Sequence, residues 1–316
     1  MVDFRLQNAW FAPIGDWEDG SYRMNVAFLI LMHKNPEQTI RLIERLDGPA
    51  SSFIVHVDRR ASREVYQSIE AWASKRNRVV LAKRSSCRWG GFGIVAASVE
   101  CVRAALRIDP AFDYAMLLSG QDYPIKPLHA IFEFLSARRG KQFIETFPLD
   151  RDNRWSAATG AYQAMNRIAW YHLAFRGRRL HVPIRRQLPV GLKPHGGSQW
   201  WCLTRDCLAD LDDFLNRNPR VLRYFKNVFI PDECFFQTLV SNSRFGGDVI
   251  ADDLHYTDWT RPNPWPPRIL DESDFERIRL SEKLFARKFD DVRDRTILDR
   301  IDRELLLLGD KPMASS

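Results

Sequence analysis

Two adjacent carboxylates, Asp232 and Glu233, open the string Pro231-Asp232-Glu233-Cys234-Phe235-Phe236-Gln237-Thr238, whose later positions are apolar. The pattern reads as the start of a helix running to about Ser241, with both acids in its first turn. Capping and pairing with the helix dipole account for Asp232. Glu233 is then free to project elsewhere. One carboxylate so placed suits general-base chemistry, taking the proton of an attacking hydroxyl, and an inverting group transfer needs one such base.

A second polar string, Ser119-Gly120-Gln121-Asp122, ends the apolar run Tyr114–Leu118. Transferases that hold a nucleotide-sugar through a divalent ion carry Asp-x-Asp after such a run, because two carboxylates grip the ion bridging the diphosphate. Here Asp122 stands alone. Asp210-Leu211-Asp212 lies in an amphipathic helical pattern and reads as solvated face, while the arginine inside Asp150-Arg151-Asp152 repels a cation. No metal site is expected, so protein cations must neutralise any leaving diphosphate. Arg268, after the Pro-rich loop 262–267, and the pair Arg287-Lys288 are of the right type, although their spacing equally describes a surface helix end. Glycine-rich dinucleotide and P-loop strings are absent, as is a His-Glu-x-x-His zinc motif. His33 and His56, at the ends of neighbouring strands, read as hydrogen-bonded structural residues.

The elements that position these groups alternate. Val26–Met32, Phe53–Val57, Val79–Ala82, Tyr114–Ser119 and Gln142–Glu145 have strand length and are continuously apolar. Helical patterns separate them: Asn35–Leu46, with Asn35 as N-cap, Pro36 first and Gln38 in capping-box position; Ser62–Lys75, with Val65, Ile69 and Trp72 on one face; Ile94–Ile108, stopped by Asp109-Pro110; and a Pro127-initiated helix to about Arg138. Such alternation implies an α/β fold with a mostly parallel central sheet and flanking helices, and a ligand at the carboxyl ends of its strands. Beyond Glu145 the pattern turns irregular: a strand near Gln199–Leu203, a helix Arg205–Asn216 and a charged helix Asp294–Leu308. Residues 1–23 read as an extension, 24–146 as the nucleotide-sugar-binding half, and 147–316 as the acceptor-binding and catalytic half packed into the same domain.

Composition sets outer bounds. With 316 residues, 45% hydrophobic and 28% charged, the chain can bury a full core. Its longest apolar run has seven residues where about twenty are needed to span a bilayer. No signal-peptide pattern follows that run, and the five cysteines form no Cys-x-x-Cys pair, so a cytoplasmic protein with reduced thiols is expected. The net charge of +7 suits an anionic partner. No nucleic-acid recognition pattern is present, which leaves a nucleotide-sugar diphosphate or an acidic membrane surface.

Six stretches, in order over residues 24–290, resemble the core-2/I-branching β-1,6-N-acetylglucosaminyltransferase and peptide O-xylosyltransferase family (glycosyltransferase family 14-like). They are His56-Val57-Asp58-Arg59, Trp89-Gly90-Gly91, Leu118 to Ile125, Gly197-Ser198-Gln199-Trp200-Trp201, Pro231 to Thr238, and Leu284-Phe285-Ala286-Arg287-Lys288-Phe289. The resemblance implies a variant GT-A fold, a UDP-sugar donor, inversion at the anomeric centre and no metal or other cofactor. It implies Glu233 as catalytic base, Arg268 and Lys288 on the diphosphate, Asp58 on the donor side and Trp89 beside the uracil. Met32 and Ser119 complete the expected donor set. Glu145, Arg151, Arg154 and Trp259 are implied as acceptor or sugar contacts, with Asp122 joining the substrate set. The family's animal members carry an anchor, stem and disulfides that do not match here. The segment 155–195 also matches poorly, so the acceptor does not carry over.

The reading is therefore an inverting, metal-independent glycosyltransferase moving a sugar, GlcNAc or xylose first, to a hydroxyl of a glycan, glycolipid or polysaccharide. A non-catalytic nucleotide-sugar- or glycan-binding relative is the alternative, and the joint presence of Glu233, Arg268 and Lys288 counts against it. Arg167, Arg176, Arg178, Arg179, Arg185 and Arg186 are interleaved with aromatic and aliphatic residues. They read either as a solvated basic face or as a peripheral contact with an anionic membrane at its cytoplasmic face.

Overall fold

The computed structural model describes residues 24–175, 178–260 and 267–306. The expected extension 1–23, Arg176, positions 262–266 of the Pro-rich loop and positions 307–308 of the last helix lie outside the described residues. The first half alternates as expected: β1 (Val26–Met32), α1 (Pro36–Leu46), β2 (Ser51–Val57), α2 (Arg63–Ala73), β3 (Val79–Leu81), α3 (Gly93–Ala105), β4 (Tyr114–Ser119), a short β5 (Asp122–Pro124), α4 (Leu128–Ser136) and β6 (Gln142–Ile144). The second half is built of shorter pieces. They are β7 (Phe147–Pro148), α5 (Ala164–Ala169), the ribbon β8 (Tyr171–Phe175) and β9 (Arg178–Val182), β10 (His195–Gly196), β11 (Trp201–Thr204), α6 (Arg205–Arg217) and α7 (Pro219–Phe225). Then come α8 (Phe235–Ser241), β12 (Val249–Ile250), β13 (His255–Thr257), α9 (Phe275–Arg279), β14 (Phe285–Arg287) and α10 (Thr296–Glu304).

Seven strands form the central sheet in the order β12-β6-β11-β4-β1-β2-β3. The pairs β1–β2, β1–β4, β2–β3 and β6–β12 are parallel, and only β11 runs antiparallel to its neighbours. Strand β1 is apolar throughout because both of its faces are covered. Phe28, Ile30 and Met32 pack in a cluster with Leu42 and Ile43 of α1, Phe132 of α4 and Ile297 of α10. Ala27 and Leu29 pack on the other side with Val95 of α3, Leu208 of α6 and Phe235 of α8. The chain runs outward from β1 through β2 to β3, then returns to place β4 on the opposite side of β1. A crevice opens at the carboxyl ends of the strands at such a reversal.

Two expected helix starts differ. Asn35 has φ of 50° and gives α1 no side-chain cap. Its amide donates instead to Asp290 (2.9 Å) and Asp291 (3.1 Å), and the Gln38 amide donates to the carbonyls of Gly120 (2.9 Å) and Phe289 (3.2 Å). Those side chains join distant segments, which a local capping rule does not see. Asp232 and Glu233 lie not in the first turn of α8 but in a separate 3-10 turn, Pro231–Glu233, ahead of it.

A second sheet, β13-β14-β5, is tied to the first by Asp122. Its carboxylate is 0% exposed and accepts from the Ser119 N–H (2.7 Å), the Ser119 hydroxyl (2.8 Å) and Arg287 Nε (2.9 Å), with His255 Nε2 at 3.5 Å. Burial alone would raise this carboxyl, but Arg287, His255 and the Ser119 N–H overcome it and hold it down to about 2. Removing one partner of a buried pair leaves the other charge uncompensated. Asp122→Ala is therefore expected to cost about 3–5 kcal/mol in urea unfolding, more than Asp122→Asn. A loss under about 1 kcal/mol would show that the two sheets are joined by other contacts.

Candidate active site

A cavity of about 1010 Å³ occupies the crevice at the carboxyl ends of β1, β2 and β4. Of the expected donor residues, Met32, Asp58, Trp89, Ser119 and Lys288 all line it. Asp58 is fixed where β2 ends: its N–H donates to the Met32 carbonyl (2.8 Å), and its Oδ1 accepts from the N–H groups of Arg60 (2.9 Å) and Cys87 (3.1 Å). Its other oxygen has no protein hydrogen bond among the described residues. Trp89 is 57% exposed and packs edge-on against Phe229.

Arg268 departs from expectation. Three carboxylates hold it, Asp258 (2.8 Å), Asp271 (3.4 Å) and Asp274, and it does not line the cavity. Its charge ties Asp258 to Asp271 and Asp274 instead of facing a ligand. Arg287 does line the cavity, clamped by Asp122 and lying over the Trp200 ring, and Lys288 follows it. Burial first, then Arg287 and Lys34, lower the Lys288 ammonium to about 8, with Asp122 opposing.

On the other wall Glu145, Arg154 and Trp259 line the cavity, and Arg154 donates to Glu145 at 2.7 Å. Burial, opposed by Arg154 and reinforced by Asp253, raises the Glu145 carboxyl. Two expected contacts are not on this surface. Arg151 is exposed beside Asp150 (3.7 Å), and Asp122 lies beneath the floor, where its bonds to Ser119 and Arg287 consume it. His33 and His56 both line the cavity, and His56 accepts the Ser85 N–H (2.8 Å), as a structural histidine does.

Glu233 sits where the strained 3-10 turn presents it. Ile230, a β-branched residue, is held at φ of 49°, a conformation that persists only where surroundings enforce it. Its N–H donates to Gly90 (3.1 Å), joining the turn to the Trp89-Gly90-Gly91 string. Gly197 donates to the Glu233 carbonyl (2.9 Å), and a Cβ there would overlap the Glu145 carbonyl oxygen. Only glycine lets the Glu145 and Glu233 segments approach so closely. The Glu233 side chain accepts from Arg167 at 2.8 Å, and this guanidinium, 3% exposed, also donates to the Tyr162 carbonyl (2.9 Å) and lies over the Trp155 ring. Burial and then Asp232 push the Glu233 carboxyl up, while Arg167 and Arg154 pull it down, leaving it at about 7.

Arg167 is thus a site residue that its sequence context disguised, since it stands among six arginines and 66 residues from its partner. It is also no part of a solvated basic face. Neither is Arg186, which donates to the carbonyls of Tyr224 (3.1 Å), Trp170 (2.9 Å) and Asn227 (3.0 Å) between two tyrosine rings. Among the described side chains around the ribbon Leu173, Leu180, Ile184 and Arg185 are exposed, while the side chains of Arg178 and Arg179 lie outside the described residues. Among the described residues no three of His, Cys, Asp and Glu are grouped to hold a metal ion, and no helix is long and apolar enough to cross a membrane.

A family model described as Core-2/I-Branching enzyme matches residues 26–279. Xylosyltransferase oxt of Drosophila pseudoobscura pseudoobscura is 26% identical over 317 residues, covering 90% of this chain and 34% of that protein. Xylosyltransferase 2 of Homo sapiens is 26% identical over 310 residues, covering 89% and 34%. Beta-glucuronosyltransferase GlcAT14B of Arabidopsis thaliana is 28% identical over 295 residues, covering 89% and 66%. The chain spans about a third of the length of the xylosyltransferases it matches.

The geometry at Glu233 makes a titration prediction. Its carboxyl is expected to lose its proton near pH 7, so any step that uses it as a base rises in rate through that pH. Arg167→Gln removes the nearest cation and should move the midpoint upward. A carboxyl-carbon NMR titration of Glu233 in both proteins checks this, and a midpoint left in place or moved down by the substitution would contradict the pairing.

Proposed function

The chain belongs to the core-2/I-branching enzyme family, and from that premise we propose that it is an inverting, metal-independent glycosyltransferase using a UDP-sugar donor. Its α/β sheet with flanking helices is a GT-A-like arrangement. One observation carries the proposal: a largely buried carboxylate, Glu233, poised near neutral pH, shares a cavity with the cations Lys288 and Arg287. In this reading the uridine lies toward Asp58 and Trp89, and the diphosphate lies against Lys288 at the ends of β1 and β4. An acceptor hydroxyl gives its proton to Glu233 as its oxygen attacks the anomeric carbon from the face opposite the departing UDP. Arg167 keeps the carboxylate oriented. The negative charge that develops on UDP is met by Lys288 and Arg287 rather than by a divalent ion.

Xylose and GlcNAc come first as donor sugars, in keeping with relatives named xylosyltransferases. The acceptor is proposed to be a glycan, glycolipid or polysaccharide, met in the cytoplasm with peripheral contact to an anionic membrane. The exposed apolar residues of the β8–β9 ribbon and Arg185 support that contact.

Glu233→Gln keeps the shape of the base but cannot take a proton, so a loss of about 10²–10⁴-fold in kcat is expected with donor affinity nearly intact. Near wild-type turnover would move the base elsewhere. A UDP-release screen across UDP-sugars, with and without EDTA, tests the donor and the metal together. Activity should survive excess EDTA, and Lys288→Ala should weaken UDP binding by roughly tenfold or more. Activity abolished by EDTA and restored by Mn²⁺ would overturn the metal-independent mechanism.

A further inference from the structure

His33 follows the last residue of β1, at the point where the strand order reverses, and faces the cavity. It differs from the chain's other well-placed histidines. His56 holds the Ser85 N–H, and His195 and His255 hydrogen-bond backbone carbonyls within two residues. The His33 imidazole has no protein hydrogen bond among the described residues. Four charged groups act on it electrostatically: Lys34 beside it in the chain and, from the cavity lining, Asp58 and Arg60 beyond the end of β2 and Lys288 beyond the end of β14. Three of the four are cations. Lys34 is partly neutralised by Asp290, at 2.6 Å, and turns toward that carboxylate.

We propose that His33 is a further ligand of the leaving diphosphate and takes up a proton when the diphosphate binds, so that UDP release is coupled to proton loss. The inference rests on the donor reading given above. His33 is exposed to the cavity, and without a diphosphate partial desolvation there, then Lys34, Lys288 and Arg60, disfavour the imidazolium, and Asp58 alone opposes them. A diphosphate brings negative charge into the same cluster and reverses the balance. The proton comes from solvent on binding and returns to it on release; no bond to the sugar changes. The imidazolium then donates a charge-assisted hydrogen bond to a phosphate oxygen. Binding must tighten as the pH falls through the midpoint of the occupied site, and level off below that of the empty one. Lys288, whose ammonium is lowered to about 8, takes up its proton at higher pH and is already charged at pH 6.5.

Calorimetric titration of UDP at pH 6.5, in two buffers of different ionisation heat, counts the protons taken up. The wild type should take up roughly half a proton more than His33→Gln or His33→Asn. Both variants should bind UDP about fivefold to tenfold more weakly at pH 6, with a smaller loss at pH 8. Uridine, which lacks the phosphates, should show no such difference. In the wild type itself, the His33 C2-proton resonance should titrate at higher pH once UDP is added, a readout independent of how the variants fold. UDP binding with an equal proton count in wild type and variants, or an equal loss at both pH values, overturns the role of His33. No binding of UDP by the wild type overturns the donor reading, and this inference with it.

Discussion

A carboxylate without water must find its partners in the protein, and the Asp122 carboxylate finds them in segments far apart in the chain. Ser119 ends β4, Arg287 ends β14 and His255 opens β13. The pairing register places Arg287 opposite Asp122 across the β14–β5 ladder, so the ion pair and the backbone ladder enforce the same alignment. The second half of the chain is thereby docked beside the end of the doubly wound sheet. Lys288, the residue after Arg287, reaches the cavity because Arg287 is clamped beneath it. Asp122 thus shapes the site from below without reaching the ligand surface, and its burial excludes the water that would weaken the clamp.

Electrostatics divide the cavity between two tasks. Near the ends of β1 and β4 the excess is cationic, supplied by Lys288, Lys34 and Arg60 around His33. Around Glu233 burial and Asp232 favour the neutral acid, while Arg167 and Arg154 favour the carboxylate. Burial and Asp232 prevail, and the arginines limit the rise to about 7. A base fully charged at low pH would be weak, and one fixed as an acid would be useless near neutrality, so the balance suits proton abstraction. The geometry behind it is costly, since Ile230 is held in the left-handed region and Gly197 admits no side chain.

Strand β1, strand β4 and helix α6 were legible in the sequence nearly to the residue, because continuous apolar runs and helical periodicity report burial directly. So were Glu233 and the cavity positions of Asp58, Trp89, Glu145, Arg154, Trp259 and Lys288, which adjacent motifs or a family pattern single out. What failed to show has a common physical cause. Arg268 and Lys288 look alike in sequence, yet one is surrounded by Asp258, Asp271 and Asp274 and the other faces open space. Asn35 and Gln38 satisfy every local capping rule and are claimed by Asp290, Asp291 and Phe289, more than 250 residues away. Arg167 carries no local mark of its partner. Partnerships of charge across the fold decide which ionic residues are free, and no window of neighbouring residues contains that information.

The same bookkeeping of charge bears on the donor. A glucuronosyl group differs from a xylosyl group by a carboxylate on C5, so a site that holds it must keep a cation available there. On the Glu233 side of this cavity the cations are matched: Arg154 with Glu145, Arg167 with Glu233, and Lys283 with Asp252 at 2.7 Å. Asp253 adds further negative charge near Glu145. An anionic sugar would have to break one of these pairs and strand a carboxylate in a partly buried wall, a cost a neutral sugar avoids. Lys288, which has no carboxylate partner among the described residues, lies instead at the strand ends, where the diphosphate supplies its counter-charge. The proposed preference for a neutral donor therefore follows from how the ionic pairs are distributed around the cavity, while the likeness to both xylosyl- and glucuronosyltransferases is compatible with either donor.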